Sequence, residues 1–122
     1  MTDNFLIDTN VVLAALQGSI PLKNLLHNKS PYLSFISDIE LFSFPLLSSE
    51  DEKVIADFVS QCRLIEYASA LRVIVISLRK TYNLKMADAI IAATALHLNI
   101  PLLSFDKGFR KIKELSLLES NV

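Results

Sequence analysis

Three carboxylates in this 122-residue chain share one layout: each stands where a short apolar run ends or where the helix behind it begins. Asp8 closes Phe5-Leu6-Ile7, Glu40 follows Tyr32-Leu33-Ser34-Phe35-Ile36, and Asp106 closes Pro101-Leu102-Leu103-Ser104-Phe105. A fourth acid, Asp88, falls in the first turn of an alanine-rich segment. Short apolar runs closed by polar residues read as buried strands. Parallel strands bring their carboxyl ends to one edge of a sheet, where open α/β proteins gather their chemistry. Acids collected there repel and raise one another's pKa unless a cation neutralises them. An oxygen-only cluster suits Mg²⁺ or Mn²⁺, which take few direct carboxylates and keep several waters. Such ions orient a phosphodiester, lower the pKa of an attacking water and stabilise the leaving oxygen.

The elements that must hold these groups follow from the patterning. After the strand ending at Asp8, Val11 to Leu16 reads as a helix stopped by Gly18, and Ser19-Ile20-Pro21 opens a short second helix through Leu22, Leu25 and Leu26. Tyr32 to Ile36 is the second strand. Ser37-Asp38-Ile39-Glu40 has the S-x-x-E spacing of a capping box and opens a helix to about Phe44. Ser49 to Glu52 repeats that spacing, and Val54, Ile55, Phe58, Val59 and Cys62 continue as one face of an amphipathic helix. Arg63 to Tyr67 is a short third strand. Leu71, Val75, Leu78 and Tyr82 form a helical stripe, which Val73, Ile74 and Ile76 widen to more than one side. Met86 to Leu98 is the alanine-rich helix, Ile100 to Phe105 the fourth strand, Lys107 to Lys113 a basic helical segment, and Leu115 to Leu118 a last edge strand. Strands separated by helices predict an α/β sandwich with a mainly parallel central sheet.

The motifs in order, I-D-T-N after an apolar strand, then I-E-L, A-D-A-I-I-A-A-T-A-L and P-L-L-S-F-D, resemble the PIN domain, and within it the VapC toxins of toxin–antitoxin pairs. The resemblance runs from Phe5 to about Phe109. It implies one PIN-like three-layer domain over residues 1–122 and a Mg²⁺- or Mn²⁺-dependent ribonuclease. It also implies an often dimeric protein and a small antitoxin that inserts a segment into the active-site groove. On the matching positions it implies that Asp8, Glu40, Asp88 and Asp106 are the metal-binding and catalytic acids. Thr9 and Asn10 match the polar pair after the first acid, and Ser104 stands where the family commonly has threonine. The chain departs from the family at Gly108, where a further acid is common.

Each of these residues has a plainer role as well. Asp8 and Asp106 suit helix N-caps, Glu40 could complete a capping box with Ser37, and the dipole of its helix favours Asp88. Thr9 and Asn10 could be turn residues. The Lys107, Arg110 and Lys111 cluster is the best candidate for phosphate contacts, whereas Arg72, Arg79, Lys80 and Lys85 read first as a solvated face. His27 and His97 read as surface residues and Cys62 as a small buried apolar one.

Composition sets the outer bounds. The net charge of −1 excludes a generally basic nucleic-acid coat, and 52% hydrophobic with 20% charged residues excludes disorder. That apolar fraction is high for a small domain, so we expect a second copy or a partner to cover some surface, a homodimer first. One cysteine excludes an internal disulfide. No signal peptide is legible at the start, and the longest uncharged stretch, Ala89 to Phe105, is interrupted by His97, Asn99 and Pro101. A cytoplasmic protein without a membrane span is the expectation. Two other functional readings stay open: a catalytically weak PIN-fold module that only binds RNA or protein, and a phosphotransferase using Asp8 as nucleophile, whose D-x-D pattern Asn10 breaks.

Overall fold

The computed structural model describes residues 3–119. In chain order they form β1 (Asn4–Ile7), α1 (Thr9–Leu16), α2 (Lys23–Leu26), β2 (Ser30–Ser34), α3 (Phe35–Phe42), α4 (Ser49–Ser60) and β3 (Arg63–Ile65). There follow α5 (Ser69–Tyr82), α6 (Met86–Leu98), β4 (Leu102–Ser104), a 3₁₀ turn (Lys107–Lys111) and β5 (Leu117–Glu119). The five strands form one sheet in the order β3-β2-β1-β4-β5, and every neighbouring pair is parallel. The chain winds outward from β1 to β3, then returns to the other side of β1 with β4. The gap between β1 and β4 is therefore the point where the winding reverses, the usual place for a site in such sheets.

Side chains alternate across the strands, so each strand feeds two cores. Leu6 and Leu102 point to the layer that holds Leu71, Leu78, Ile91, Phe109 and Ile112. Phe5, Ile7, Leu33 and Leu103 point to the opposite layer, with Val11, Val12, Leu41, Ile55 and Phe58. Helices thus cover both faces. In α6, Ala89, Ala92, Ala93 and Ala95 are wholly buried, and their small side chains allow α5 and α6 to pack closely.

Helix ends follow local chemistry. Gly18 (φ 84°) ends α1, and the amides of Gly18 and Ser19 donate to Ala15 and Ala14 carbonyls, the 5→2 and 6→1 bonds of a Schellman ending. Asn83 and Asn99 end α5 and α6 in the same left-handed conformation.

Several boundaries differ from the sequence expectation. The second strand is Ser30–Ser34, not Tyr32–Ile36, because the Ser34 hydroxyl caps α3 by accepting from the Ile36 amide at 3.2 Å, which carries Phe35 and Ile36 into the helix. Ser37 is consequently no cap and forms no box with Glu40. The later box lies one residue earlier than expected: the Asp51 amide donates to Ser48 Oγ at 3.0 Å, and the Ser48 amide to Asp51 Oδ2 at 3.1 Å. The third and fourth strands are shorter than expected, and the basic segment is a 3₁₀ turn ending at Lys111. Val73 is 67% exposed and Ile76 is exposed too, so α5 buries one stripe only.

Candidate active site

Asp8 sits at the tip of β1, its backbone held by the amide bond to the Leu103 carbonyl of β4 at 2.9 Å. It caps α1, with Oδ1 accepting from the Thr9 amide at 2.8 Å. Oδ2 accepts from the Ser104 hydroxyl at 2.7 Å, and Ser104 Oγ in turn accepts from the Asp106 amide at 2.9 Å. One buried serine thereby ties the acid ending β1 to the acid following β4. Asp8 is 5% exposed. Burial pushes its carboxyl above the usual range, the Ser104 and Thr9 bonds oppose that, and the charges of Asp88 and Asp106 add to the rise.

The next residue connects the other side. Thr9 Oγ1 lies 2.7 Å from Glu40 Oε1 and 2.8 Å from Ser37 Oγ. A hydroxyl has one proton and two lone pairs, so Thr9 serves the carboxylate while sharing a bond with Ser37. Glu40 is therefore held from β1's end, and α3 is locked to α1 by three polar side chains. This role of Ser37 was illegible in the sequence, since 28 residues separate it from Thr9.

Asp8, Thr9, Asn10, Glu40, Asp88 and Asp106 together line one cleft of about 150 Å³, with Phe44 and Ile91 among its apolar walls. All four predicted acids reach it. Asp88, in the first turn of α6, has a carboxyl raised chiefly by burial and next by Asp106 and Glu40, against the lowering charges of Lys85 and Lys111. Asp106 caps the 3₁₀ turn, with Oδ1 accepting from the Gly108 amide at 2.7 Å. A Cβ on Gly108 would stand 3.0 Å from that same Oδ1, so a side chain there would press on the capping carboxylate. The missing acid at this position and the capped conformation of Asp106 belong together.

The basic residues divide. Arg110 is taken by Glu119, which accepts from both Nε and Nη2, the latter at 2.7 Å. Lys107 is exposed at the start of the turn and outside the cleft lining. Lys111 lines a neighbouring recess that shares Asp88 and Asp106 with the acidic cleft. His27 and His97 are exposed, as expected. Cys62 is half-buried, with its thiol pushed up to about 12 by burial, so it holds no reactive thiolate at neutral pH.

The donor set is entirely oxygen, and no arginine or lysine ion-pairs with these four acids among the described residues. Such a set fits Mg²⁺ or Mn²⁺. Among the described residues no three acidic, histidine or cysteine side chains are gathered closely enough to hold an ion directly. That accords with ions that use one or two carboxylates and complete their shell with water and substrate oxygens.

An apolar groove of about 370 Å³ runs beside the cleft between α1 and α4, lined by Leu16, Leu47, Val54 and Ile55 and sharing Leu13 and Phe44 with the acidic cleft. Among the described residues no helix is long and apolar enough to cross a membrane.

A family model described as the PIN domain matches residues 5–115. No significant match was found among curated proteins. Among solved structures the chain is similar to DNA-bound VapBC from Salmonella typhimurium (TM-score 0.83, 17% identity, 98% of each chain covered). It is also similar to VapBC2 from Rickettsia felis bound to a promoter DNA fragment (0.82, 18% identity, 97% of this chain and 99% of that one). A third is a toxin-antitoxin complex from Klebsiella pneumoniae (0.78, 25% identity, 93% and 94%). The first two likenesses establish the fold.

Proposed function

The chain belongs to the PIN domain family, and from that premise we propose that it is a divalent-metal-dependent endoribonuclease, the toxin of a VapBC-type toxin–antitoxin pair. The observation that carries the reading is Asp8: a buried carboxylate at the sheet's switch point, beside Asp88 and Asp106, with no ion pair to balance it among the described residues. Asp8, Glu40, Asp88 and Asp106 would hold one or two Mg²⁺ or Mn²⁺ ions. A bound ion supplies positive charge at the phosphodiester and lowers the pKa of the attacking water.

The chain's own residues do the positioning. Ser104 orients Asp8 and favours its ionised form, and Thr9 holds Glu40 toward the cleft. Asn10, exposed at the cleft's rim, offers an amide to a phosphate or a water. Because a water attacks directly, no residue becomes covalently bound. The apolar groove that reaches the cleft through Leu13 and Phe44 suits an amphipathic antitoxin segment, whose end would then block the acids. The uncovered Val73 and Ile76 of α5 suit a second copy of the chain. We place the protein in the cytoplasm, where its RNA substrate is found.

The test is cleavage of a mixed RNA pool by purified protein with Mg²⁺, with Mn²⁺ and with EDTA, beside Asp8→Asn. Metal-dependent cutting that disappears in the variant is the expected result; full activity in Asp8→Asn sinks the assignment. One observation favours a second reading, a binding module of little activity: Gly108 stands where relatives commonly carry a further acid, and a Cβ there would press on Asp106. That reading requires no cleavage of any RNA across a divalent-metal titration.

A further inference from the structure

The recess beside the acidic cleft plays no part in the chemistry assigned to the four acids. It encloses about 160 Å³, and Asp88 and Asp106 form the wall it shares with the cleft. Its lining also includes two lysines from different elements: Lys85, the residue that precedes α6, and Lys111, the last residue of the 3₁₀ turn. Both are presented by anchored backbone. Leu84 is buried, and its carbonyl accepts from Arg79 Nε at 3.2 Å, which fixes the turn leading into Lys85. Phe109 and Ile112, both 2% exposed, clamp the chain around Lys111.

Lysines placed beside acids usually serve to neutralise them. Here neither Lys85 nor Lys111 makes an ion pair among the described residues, although both act on Asp88 at longer range. Their neighbour Arg110 is different, because Glu119 already occupies its guanidinium. Two lysines on anchored backbone, without an ion pair and lining a concave recess, make a site for an anion. A flexible ammonium meets a phosphate as a point charge and needs no bidentate geometry. The chain as a whole carries a net charge of −1, so attraction to a polyanion must come from local groups such as these.

We propose that Lys85 and Lys111 form a phosphate-binding subsite for the nucleotide adjoining the cleaved linkage of single-stranded RNA. The acidic cleft takes the reacting phosphodiester and the recess takes its neighbour on the same strand. This rests on the nuclease reading and adds to it two positioning residues and a direction for the strand, from the cleft toward the turn after β4. Lys107 and Arg110 lie outside the subsite.

The experiment measures binding of a fluorescein-labelled single-stranded RNA to the full chain carrying Asp8→Asn, by anisotropy across a series of KCl concentrations. Adding Lys85→Gln and Lys111→Gln weakens binding about 10-fold near 100 mM salt. It also lowers the slope of log affinity against log salt by roughly 0.7, the change for one phosphate that is no longer neutralised. Lys23→Gln with Lys53→Gln makes the same charge change outside the recess and leaves affinity and slope as they were. In the chain with Asp8 intact, the recess pair raises KM for cleavage by a larger factor than it lowers kcat. An unchanged slope and KM, or an equal loss in the control pair, overturns the subsite, while an inactive Asp8→Asn still upholds the nuclease. Absence of metal-dependent cleavage together with absence of RNA binding takes both down.

Discussion

Asp8 is poised between two opposing effects, and Ser104 decides how far each prevails. Burial and the neighbouring acids favour the protonated carboxyl, whereas the Ser104 hydroxyl bond favours the ionised one. Ser104→Ala removes that bond, so the Asp8 carboxyl rises further and the acid limb of the pH–rate profile moves to higher pH. An acid limb that stays in place would refute this role. The same variant loses about 1.5–3 kcal/mol of stability at neutral pH, the usual range for a hydrogen bond to a charged group. The loss shrinks as the pH falls through the raised titration of Asp8, and urea denaturation at neutral and at low pH measures the difference. Asp8, Asp88 and Asp106 were legible at this scale because each sits where a strand ends or a helix starts, whereas Glu40 lies in the second turn of α3 and was singled out by the motif order alone. The bonds that orient them were not: Ser104 meets Asp8 across 96 residues, and Thr9 meets Glu40 across 31. Sequence spacing reports local geometry, and these bonds exist only because β1, β4 and α3 converge. For the same reason the basic cluster of Lys107, Arg110 and Lys111 read as one patch, although the fold gives its members three different surroundings.

Among the elements, α3 shows how a correct helix can be assigned with the wrong cap. Ser37 and Glu40 have capping-box spacing, but Ser34, three residues earlier, ends β2 and caps the helix directly. Two serines with helical residues behind them are locally equivalent; what separates them is that Tyr32 and Ser34 pair with Arg63 and Ile65, which ends the strand at Ser34. The two serines therefore respond differently to substitution. Ser34→Ala costs about 1 kcal/mol of stability, as removal of an N-cap does, and chemical denaturation measures it. Ser37→Ala leaves the cap intact and loosens the Thr9–Glu40 pairing, so its effect falls on cleavage rate more than on stability. Equal stability losses with unchanged activity in Ser37→Ala would contradict this division. The α6 helix was easier to read, since Ala89, Ala92, Ala93 and Ala95 announce close packing, and all four are buried. Ala92→Leu overpacks the layer between α6 and its neighbours and costs about 1–3 kcal/mol; a variant as stable as the parent would mean that this layer has slack.

Taken as a whole, the molecule carries a liability, two raised carboxyls, that a bound divalent ion would relieve. Two carboxyls, Asp8 and Asp88, are raised in the folded chain, chiefly by burial. An acid whose pKa is higher folded than unfolded holds more protons in the folded state, so its contribution to stability is full below the unfolded value of about 3.9 and is lost as pH rises through the folded value. The metal-free chain should therefore lose stability from these groups on going from about pH 4 toward neutrality. Asp8→Asn removes one of the charges and should melt above the parent at pH 7 in EDTA, with the difference closing as the pH falls. Mn²⁺ acts in the opposite sense. An ion that binds only the folded state adds about 2.7 kcal/mol at a hundred times its dissociation constant, which for a chain of this size moves the melting temperature by on the order of 10 °C. The parent should show that rise at pH 7 and a smaller one at low pH, where protons compete with the ion for the raised carboxyls of Asp8 and Asp88. Asp8→Asn should show little at either pH. A calorimetric scan of both proteins, with and without Mn²⁺, reads all of this without any RNA and so tests the acidic cluster independently of substrate choice. If Mn²⁺ stabilises the two chains equally, the ion binds elsewhere, and Asp8, Asp88 and Asp106 are helix caps and a first-turn charge, with Glu40 a partner of Thr9, rather than a metal centre.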